Sequence, residues 1–304
     1  MKGRDDLNVL ITGGTGFIGN RFVQKLAEEK CHAYVLTRYP KQYKDTEYIS
    51  YISYQYPLQR LPMIHAVVNL AGESLFGYWT QEKKEKILSS RLSITERLIQ
   101  VMMQMDPKPK VFISGSAIGY YGTSDEKIFT ERTTIPGNDF LASVTVKWEN
   151  AAQTAEDLGI RTVYTRFGVV LDRHNGALPM MALPIKFFLG GKIGSGKQWV
   201  SWIHIDDCIE LLWHIIQNDS VNGPINMTAP NPLTNNTFTK TLAKTLSRPN
   251  LVKAPAQFVT VVLGEMHQLI TRGQYVYPKK ALENDYKFKF AHLKDALANI
   301  YNKS

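Results

Sequence analysis

Short apolar runs alternate with helix-period stretches along the first half of the chain. Val9 to Ile11 reads as a buried strand. From Ile18 the apolar positions Ile18, Phe22 and Leu26 share one helical face, with Arg21, Lys25 and Glu28 elsewhere. Ala33 to Leu36 predicts a second strand. Tyr48 to Tyr54, where aromatic and aliphatic residues alternate with serines, predicts a short third. His65 to Leu70 predicts a buried strand that ends in Ala71 and Gly72. Thr80 to Met103 carries helical periodicity, and Lys110 to Ser114 is another buried strand. Asn138 to Leu158 predicts a helix capped by Asn138 or Asp139, and Arg161 to Arg166 the next strand. Strands that alternate with helices in this way imply right-handed βαβ units. The expected fold is α/β, a Rossmann-type doubly wound parallel sheet.

From Gly168 the rhythm changes. Residues 176–196 hold five glycines with little periodicity and predict loops. Gln198 to Ile205 predicts a strand and Asp206 to Gln217 a helix. Phe238 to Leu246 is helical, Ala256 to Thr271 an apolar helix-like stretch, and Leu293 to Ile300 a last helix. Pro230 to Pro232 reads as a boundary. The expected organisation is one α/β domain over 1–230, with 168–200 a substrate-side excursion, and a small, mainly helical C-terminal domain over 231–304.

The join between the first strand and helix carries the most chemistry. It reads Thr12, Gly13, Gly14, Thr15, Gly16, Phe17, Ile18 and Gly19. The first glycines allow a tight turn, Gly16 lets backbone approach a pyrophosphate, and Gly19 lets helix and strand pack closely. The free N–H groups at the helix start then face the phosphate charge. A dinucleotide is the expected cofactor. An NAD site places Asp or Glu at the end of the second strand, to accept from the ribose 2′-hydroxyl. Here Thr37 and Arg38 stand there, and no carboxylate occurs between Cys31 and Lys44. Arg38 suits a 2′-phosphate, so NADP(H) is expected over NAD(H).

Bulk properties narrow the picture further. With 44% hydrophobic and 21% charged residues among 304, wholesale disorder is excluded. Cys31 and Cys208 make neither a disulfide framework nor a metal site. The seven histidines lack ligand spacing, so no metal is expected. The start of the chain is polar, and no apolar run reaches the ~20 residues of a membrane span. A cytoplasmic protein is therefore expected. Net charge is +9, with no dense basic run beyond Lys83-Lys84 and Lys279-Lys280. This reads as a solvated surface that favours an anionic cofactor, with neither nucleic acid nor membrane as partner. No exposed apolar stripe insists on an oligomer, and a homodimer is left open.

Taken together, these residues resemble the extended, epimerase/dehydratase-like branch of the short-chain dehydrogenase/reductase superfamily. They are most similar to its atypical group of epimerase family proteins, the bacterial YfcH type and its animal counterparts. Beside the glycine turn, the resemblance rests on Val68 to Gly72, Ser90-Arg91 with Thr95, Ser114 to Gly122, Trp148-Glu149 and Arg166 to Leu171. It continues through Gly194 to Gly196, Gln198-Trp199, Ser201 to Asp207, Gly223 to Asn226 and Thr228 to Pro230. The tail, with Leu263 to Glu265 and Pro278, resembles that group's small C-terminal domain. The resemblance implies that Asn69, Leu70, Ala71 and Gly72 lie beside the adenine and ribose, and that Ser116 matches the catalytic serine or threonine.

The superfamily's usual Tyr-xxx-Lys pair is missing. Aligning Glu149 with the acid that follows it puts Leu141 and Thr145 at the two positions, and a two-residue shift offers only Ser143 and Lys147. Tyr275 to Lys279 has the spacing but contains Pro278 and sits in the tail. Gly191 to Lys197 imitates a phosphate loop, but Gln198 stands where Ser or Thr belongs. An active enzyme then needs another phenol, Tyr120 or Tyr121, with Lys147 a weaker candidate. His204, Asp206 and Asp207 read as structural rather than catalytic. Arg91 reads equally as a contact to an anionic substrate or phosphate and as one end of a salt bridge. Two functions follow. One is an NADP-dependent oxidoreductase or epimerase-like enzyme of unknown small-molecule substrate. The other is a catalytically inactive dinucleotide-binding regulatory protein, conceivably tied to cell division.

Overall fold

The computed structural model describes residues 7–250, 260–261 and 264–302. In chain order the elements are β1 (Asn8–Thr12), α1 (Phe17–Glu28), β2 (His32–Leu36), β3 (Ile49–Ile52), β4 (Ala66–Asn69), α2 (Gln81–Gln104) and β5 (Val111–Ala117). There follow β6 (Ser124–Phe129), α3 (Phe140–Gln153), β7 (Arg161–Phe167), β8 (Val169–Leu171), α4 (Leu178–Lys186), β9 (Trp199–Val200), β10 (Trp202–His204) and α5 (Ile205–Gln217). The last are β11 (Gly223–Met227), β12 (Leu233–Thr234), α6 (Asn235–Thr245), β13 (Gln274–Val276) and α7 (Leu293–Asn302). Seven strands form one parallel sheet in the order β11-β7-β5-β4-β1-β2-β3. The order reverses between β1 and β4, which opens a crevice beyond their carboxyl ends.

Strand alternation assigns the two faces of this sheet. Val9, Ile11, Val35, Val68 and Ile113 point to the layer of α1 and α5, where Phe22, Leu26, Leu211 and Leu212 close the core. Leu10, Leu36, Val67 and Phe112 point the other way, against Leu98, Ile99 and Met102 of α2 and Ala152 of α3. Thr80 caps α2 by accepting from the Lys83 N–H. Of the two candidate caps for α3, Asp139 serves, its Oδ1 accepting from the Ala142 N–H at 2.9 Å.

The second half departs from expectation. Within the glycine-rich stretch, α4 forms despite two prolines: Pro179 falls in its first turn, where no N–H is needed, and only Pro184 is interior. Gln198 to Ile205 divides into β9 and β10, and β8 pairs with β10. Six residues of the stretch Ala256 to Thr271 lie outside the described residues; Gly264–His267 is a 3-10 turn and Gln268–Thr271 one helical turn. The excursion and the C-terminal region share one core. Leu178, Ala182, Ile185 and Trp202 pack with Phe238, Leu242, Leu293 and Leu297.

Asp207 ties the tail to the sheet domain. Its Oδ1 accepts from the Lys289 N–H at 2.7 Å and its Oδ2 from the Phe290 N–H at 2.8 Å, while the Tyr286 hydroxyl donates to its carbonyl at 2.9 Å. Capping of α5 falls instead to His204, whose Nδ1 accepts from the Asp206 N–H at 3.0 Å.

Candidate functional site

Gly13 has a φ of +73°, and a Cβ there would lie 2.5 Å from the carbonyl carbon of Leu70. At Gly19, on the first turn of α1, a Cβ would stand 2.1 Å from the Gly13 carbonyl oxygen. Neither position admits a side chain, and the first is also a left-handed conformation. Gly16 is different. It is exposed, with only the Gly13 oxygen near its missing Cβ, and as the residue before α1 it offers no capping side chain. The helix start therefore presents N–H groups without a side-chain acceptor, beside open space and with no acid in the first turn. A phosphate-bearing group fits this cradle. Thr15 is exposed, Phe17 and Ile18 are half-buried, and Gly14 is buried against Val35. The excursion meets the turn here: a Cβ at Gly176 would lie 3.1 Å from the Phe17 ring.

A buried chain of hydrogen bonds fixes the loop after β4. Thr12 Oγ1 donates to Asn69 Oδ1 at 2.7 Å, and Asn69 Nδ2 donates to Thr95 Oγ1 at 2.9 Å. The Thr95 oxygen also accepts from Trp148 Nε1 at 3.1 Å and donates to the Arg91 carbonyl. The Asn69 side chain is thus occupied within the protein. What faces the crevice is the backbone course of Leu70, Ala71 and Gly72. Arg91 braces that loop: its Nη1 donates to the carbonyls of Glu73 at 3.1 Å and Ile87 at 2.8 Å. Burial lowers its pKa to about 10, so it remains a cation at neutral pH.

At the end of β5 a second buried chain begins. Ser116 Oγ donates to Glu149 Oε1 at 2.6 Å. Arg166, from β7, grips both carboxylate oxygens, through Nε at 2.8 Å and Nη2 at 2.7 Å. Its Nη1 donates to the Tyr121 hydroxyl at 3.0 Å, which in turn donates to Asn226 Oδ1 at 2.8 Å. Burial, opposed by Arg166, pushes the Tyr121 phenol up to about 12. Tyr121 is buried, and its hydroxyl is engaged on both sides. Tyr120 is half-exposed; its hydroxyl donates to the Thr134 carbonyl at 2.9 Å, and the Arg166 guanidinium lies 3.5 Å from its ring centre.

The positions expected for the missing pair are inert. Thr145 is buried and donates to carbonyls of its own helix, Leu141 is half-buried, and Lys147 is exposed. Arg38, just beyond β2, is exposed near the Tyr39 ring. The phosphate-loop imitation leads into β9 and not a helix, and Tyr275 lies in β13 against Trp199.

Residues 9–227 match the NAD dependent epimerase/dehydratase family, and residues 254–300 match a domain of unknown function, DUF1731. The chain belongs to the NAD dependent epimerase/dehydratase family. It is 42% identical over 297 residues to epimerase family protein YfhF of Bacillus subtilis, covering 97% of this chain and 98% of that one. Among solved structures it resembles human epimerase family protein SDR39U1 (isoform 2) with NADPH, an atypical short-chain dehydrogenase/reductase, at 32% identity. The TM-score is 0.89, with 98% of this chain and 100% of that one covered. A nucleoside-diphosphate sugar epimerase from Corynebacterium glutamicum matches at 29% identity and a TM-score of 0.78, over 98% of this chain and 58% of its own. The resemblance to epimerase family proteins and the Rossmann-type fold are thus both established, down to the C-terminal domain.

The resemblance placed Ser116 and Glu149 on the page, but not the bond between them. The two-sided grip of Arg166 and the Thr12–Asn69–Thr95–Trp148 chain also went unread. Each joins residues of distant strands and helices. The only sequence signal was a polar residue closing an apolar run, as at Thr12 and Asn69; β7, with Arg161, Thr162 and Thr165 beside Arg166, gave none.

Proposed function

We propose that the protein binds NADP(H) at the crevice beyond β1 and β4 and works as an atypical oxidoreductase or epimerase-like enzyme on a small molecule. The observation that carries this is the cradle at Gly13, Gly16 and Gly19, with Arg38 and no carboxylate at the end of β2. The NADPH in the human SDR39U1 structure supports it; NAD in complexes with UDP-glucuronic acid 4-epimerase, at 17% identity, bears on the fold alone. When bound, the nicotinamide supplies hydride transfer to and from carbon. Gly13, Gly14 and Gly16 would hold the phosphates, Thr12, Thr15, Phe17, Ile18 and Gly19 shape the turn, and Arg38 would pair with the 2′-phosphate. Leu70, Ala71 and Gly72 line the crevice on the adenine side, held in place by Asn69 and Arg91.

Proton handling falls to Ser116 and Tyr120. Ser116 donates its hydrogen bond to Glu149, which leaves its lone pairs to accept from a substrate hydroxyl. Tyr120 is the phenol within reach of solvent, with the Arg166 guanidinium stacked over its ring. With a substrate found among sugars, ketones and aldehydes, Ser116→Ala and Tyr120→Phe should each lower kcat by about 100-fold, the usual span for one acid–base group. Unchanged turnover in both variants would refute the relay.

One observation favours a second reading, a cofactor-binding protein without turnover that signals to a partner. Leu141 and Thr145 replace the phenol and ammonium, and the hydroxyls of Ser116 and Tyr121 are already engaged. That reading predicts partner affinity that changes with NADPH. Identical partner recovery with and without NADPH counts against it.

A further inference from the structure

We propose that α4 and the turn ending it dock on the surface of an anionic lipid bilayer. The inner face of α4, Leu178, Ala182 and Ile185, is buried in the core shared with the C-terminal region. Its outer side is apolar too. Met180, Leu183, Phe187, Phe188 and Leu189 are each more than half exposed, five large hydrophobic side chains within ten residues. The turn that displays the last three is fixed. Phe188 has a φ of +62°, its N–H donates to the Ile185 carbonyl at 3.1 Å, and the Leu189 N–H donates to that of Pro184 at 2.8 Å. Glycine or asparagine ordinarily takes this helix-ending position. Here an exposed aromatic does, flanked by two more apolar residues.

The charge around this tip is one-sided. From Arg173 to Ile205, and again from Ser220 to Asn250, the chain contains no aspartate or glutamate but seven lysines and arginines. This one-signed run departs from the expectation of a solvated basic surface with no membrane partner. Among the described residues Lys25, Lys83 and Lys84 sit in salt bridges elsewhere, whereas Lys186, Lys192, Lys240 and Lys244 form none. The Arg248 guanidinium lies 5.1 Å from the Phe188 ring, which brings the end of α6 beside the tip.

Apolar side chains beside cations that form no salt bridge suit an interfacial element, the former reaching the acyl boundary and the latter the headgroups. A second copy would bring the same positive surface against this one. Nucleic acid would use the cations but leave the apolar tip exposed. The surface is joined to the crevice, because α4 begins two residues after Gly176, which abuts Phe17. The inference does not depend on which reaction that crevice performs.

The test is co-sedimentation of the full chain with phosphatidylcholine vesicles, with and without phosphatidylglycerol. Binding is expected only to the anionic vesicles, and to weaken with salt. Each lysine or arginine near such a surface is worth about fivefold in partitioning. Lys186→Glu with Lys192→Glu should therefore reduce binding by about tenfold or more, as should Phe187→Ser with Phe188→Ser and Leu189→Ser. Lys186, Phe187, Phe188 and Leu189 are exposed and Lys192 half-exposed, so the melting temperature should hold. No pelleting with anionic vesicles, or unchanged partitioning in both variants, overturns the proposal. So does a dimer in solution that the serine variant dissociates while the parent ignores vesicles.

Discussion

Arg166 links the two halves of the candidate site. It holds Glu149 on one side and Tyr121 on the other, at side-chain exposures of 4% for Arg166 and 10% for Glu149. A buried pair of this kind costs roughly 3 to 5 kcal/mol when one partner is removed, because the other charge is stranded. Tyr121 offers a gentler probe. Burial raises its pKa in the fold to about 12. The stability tied to its protonated form is fully present below the ordinary tyrosine value near 10, and is lost as pH rises from there through 12. Denaturation of wild type and Tyr121→Phe at several pH values checks this. Over that window the wild type should lose about 2 to 3 kcal/mol relative to the variant. A constant difference would mean that the phenol is not held as described.

At the scale of elements, two junctions matter most. The first is the packing of α1 on the glycine turn. Gly19→Ala forces a methyl against the Gly13 carbonyl and should cost about 1 to 3 kcal/mol of stability while displacing the cradle. Dinucleotide affinity should fall by at least about tenfold, the equivalent of 1.4 kcal/mol. Thermal melting and a binding titration read the two effects separately. The second junction is Asp207, which receives two buried N–H groups of the tail. Asp207→Ala leaves both unsatisfied, at about 1 to 3 kcal/mol each. Hydrogen exchange across 286–302 should accelerate while β1, β4 and β5 stay protected. Unaltered exchange in the tail would show that the core around Leu293 and Leu297 suffices to hold it.

Elements were legible in the sequence where one face repeats, and lost where it does not. Val9 to Ile11 and Phe22 with Leu26 announce β1 and α1 because both faces of the sheet are covered by helices. α4 stayed hidden because apolar residues cover both its buried and its exposed side, which left no periodicity to read among the glycines of 176–196. β6 stayed hidden because most of its residues are exposed, leaving no alternation to read. Asp207 could be read as structural, but not its partners, which lie some eighty residues away.

For the molecule as a whole, strand order places the crevice, and the sequence had already filled it. The reversal between β1 and β4 brings the glycine turn, the loop after β4 and the end of β5 to one edge. Membership of the NAD dependent epimerase/dehydratase family agrees with a nicotinamide dinucleotide there. The choice between the two dinucleotides rests on Arg38 alone among residues at the end of β2. One charge-assisted hydrogen bond to a 2′-phosphate is worth about tenfold in affinity. The direct measurement is a fluorescence titration of the purified chain with NADPH and with NADH, followed through energy transfer from its tryptophans and repeated on Arg38→Asp. The account predicts NADPH bound about tenfold or more tighter than NADH, with the preference erased in the variant. Absence of binding by either dinucleotide, or a preference for NADPH that survives Arg38→Asp, would contradict it.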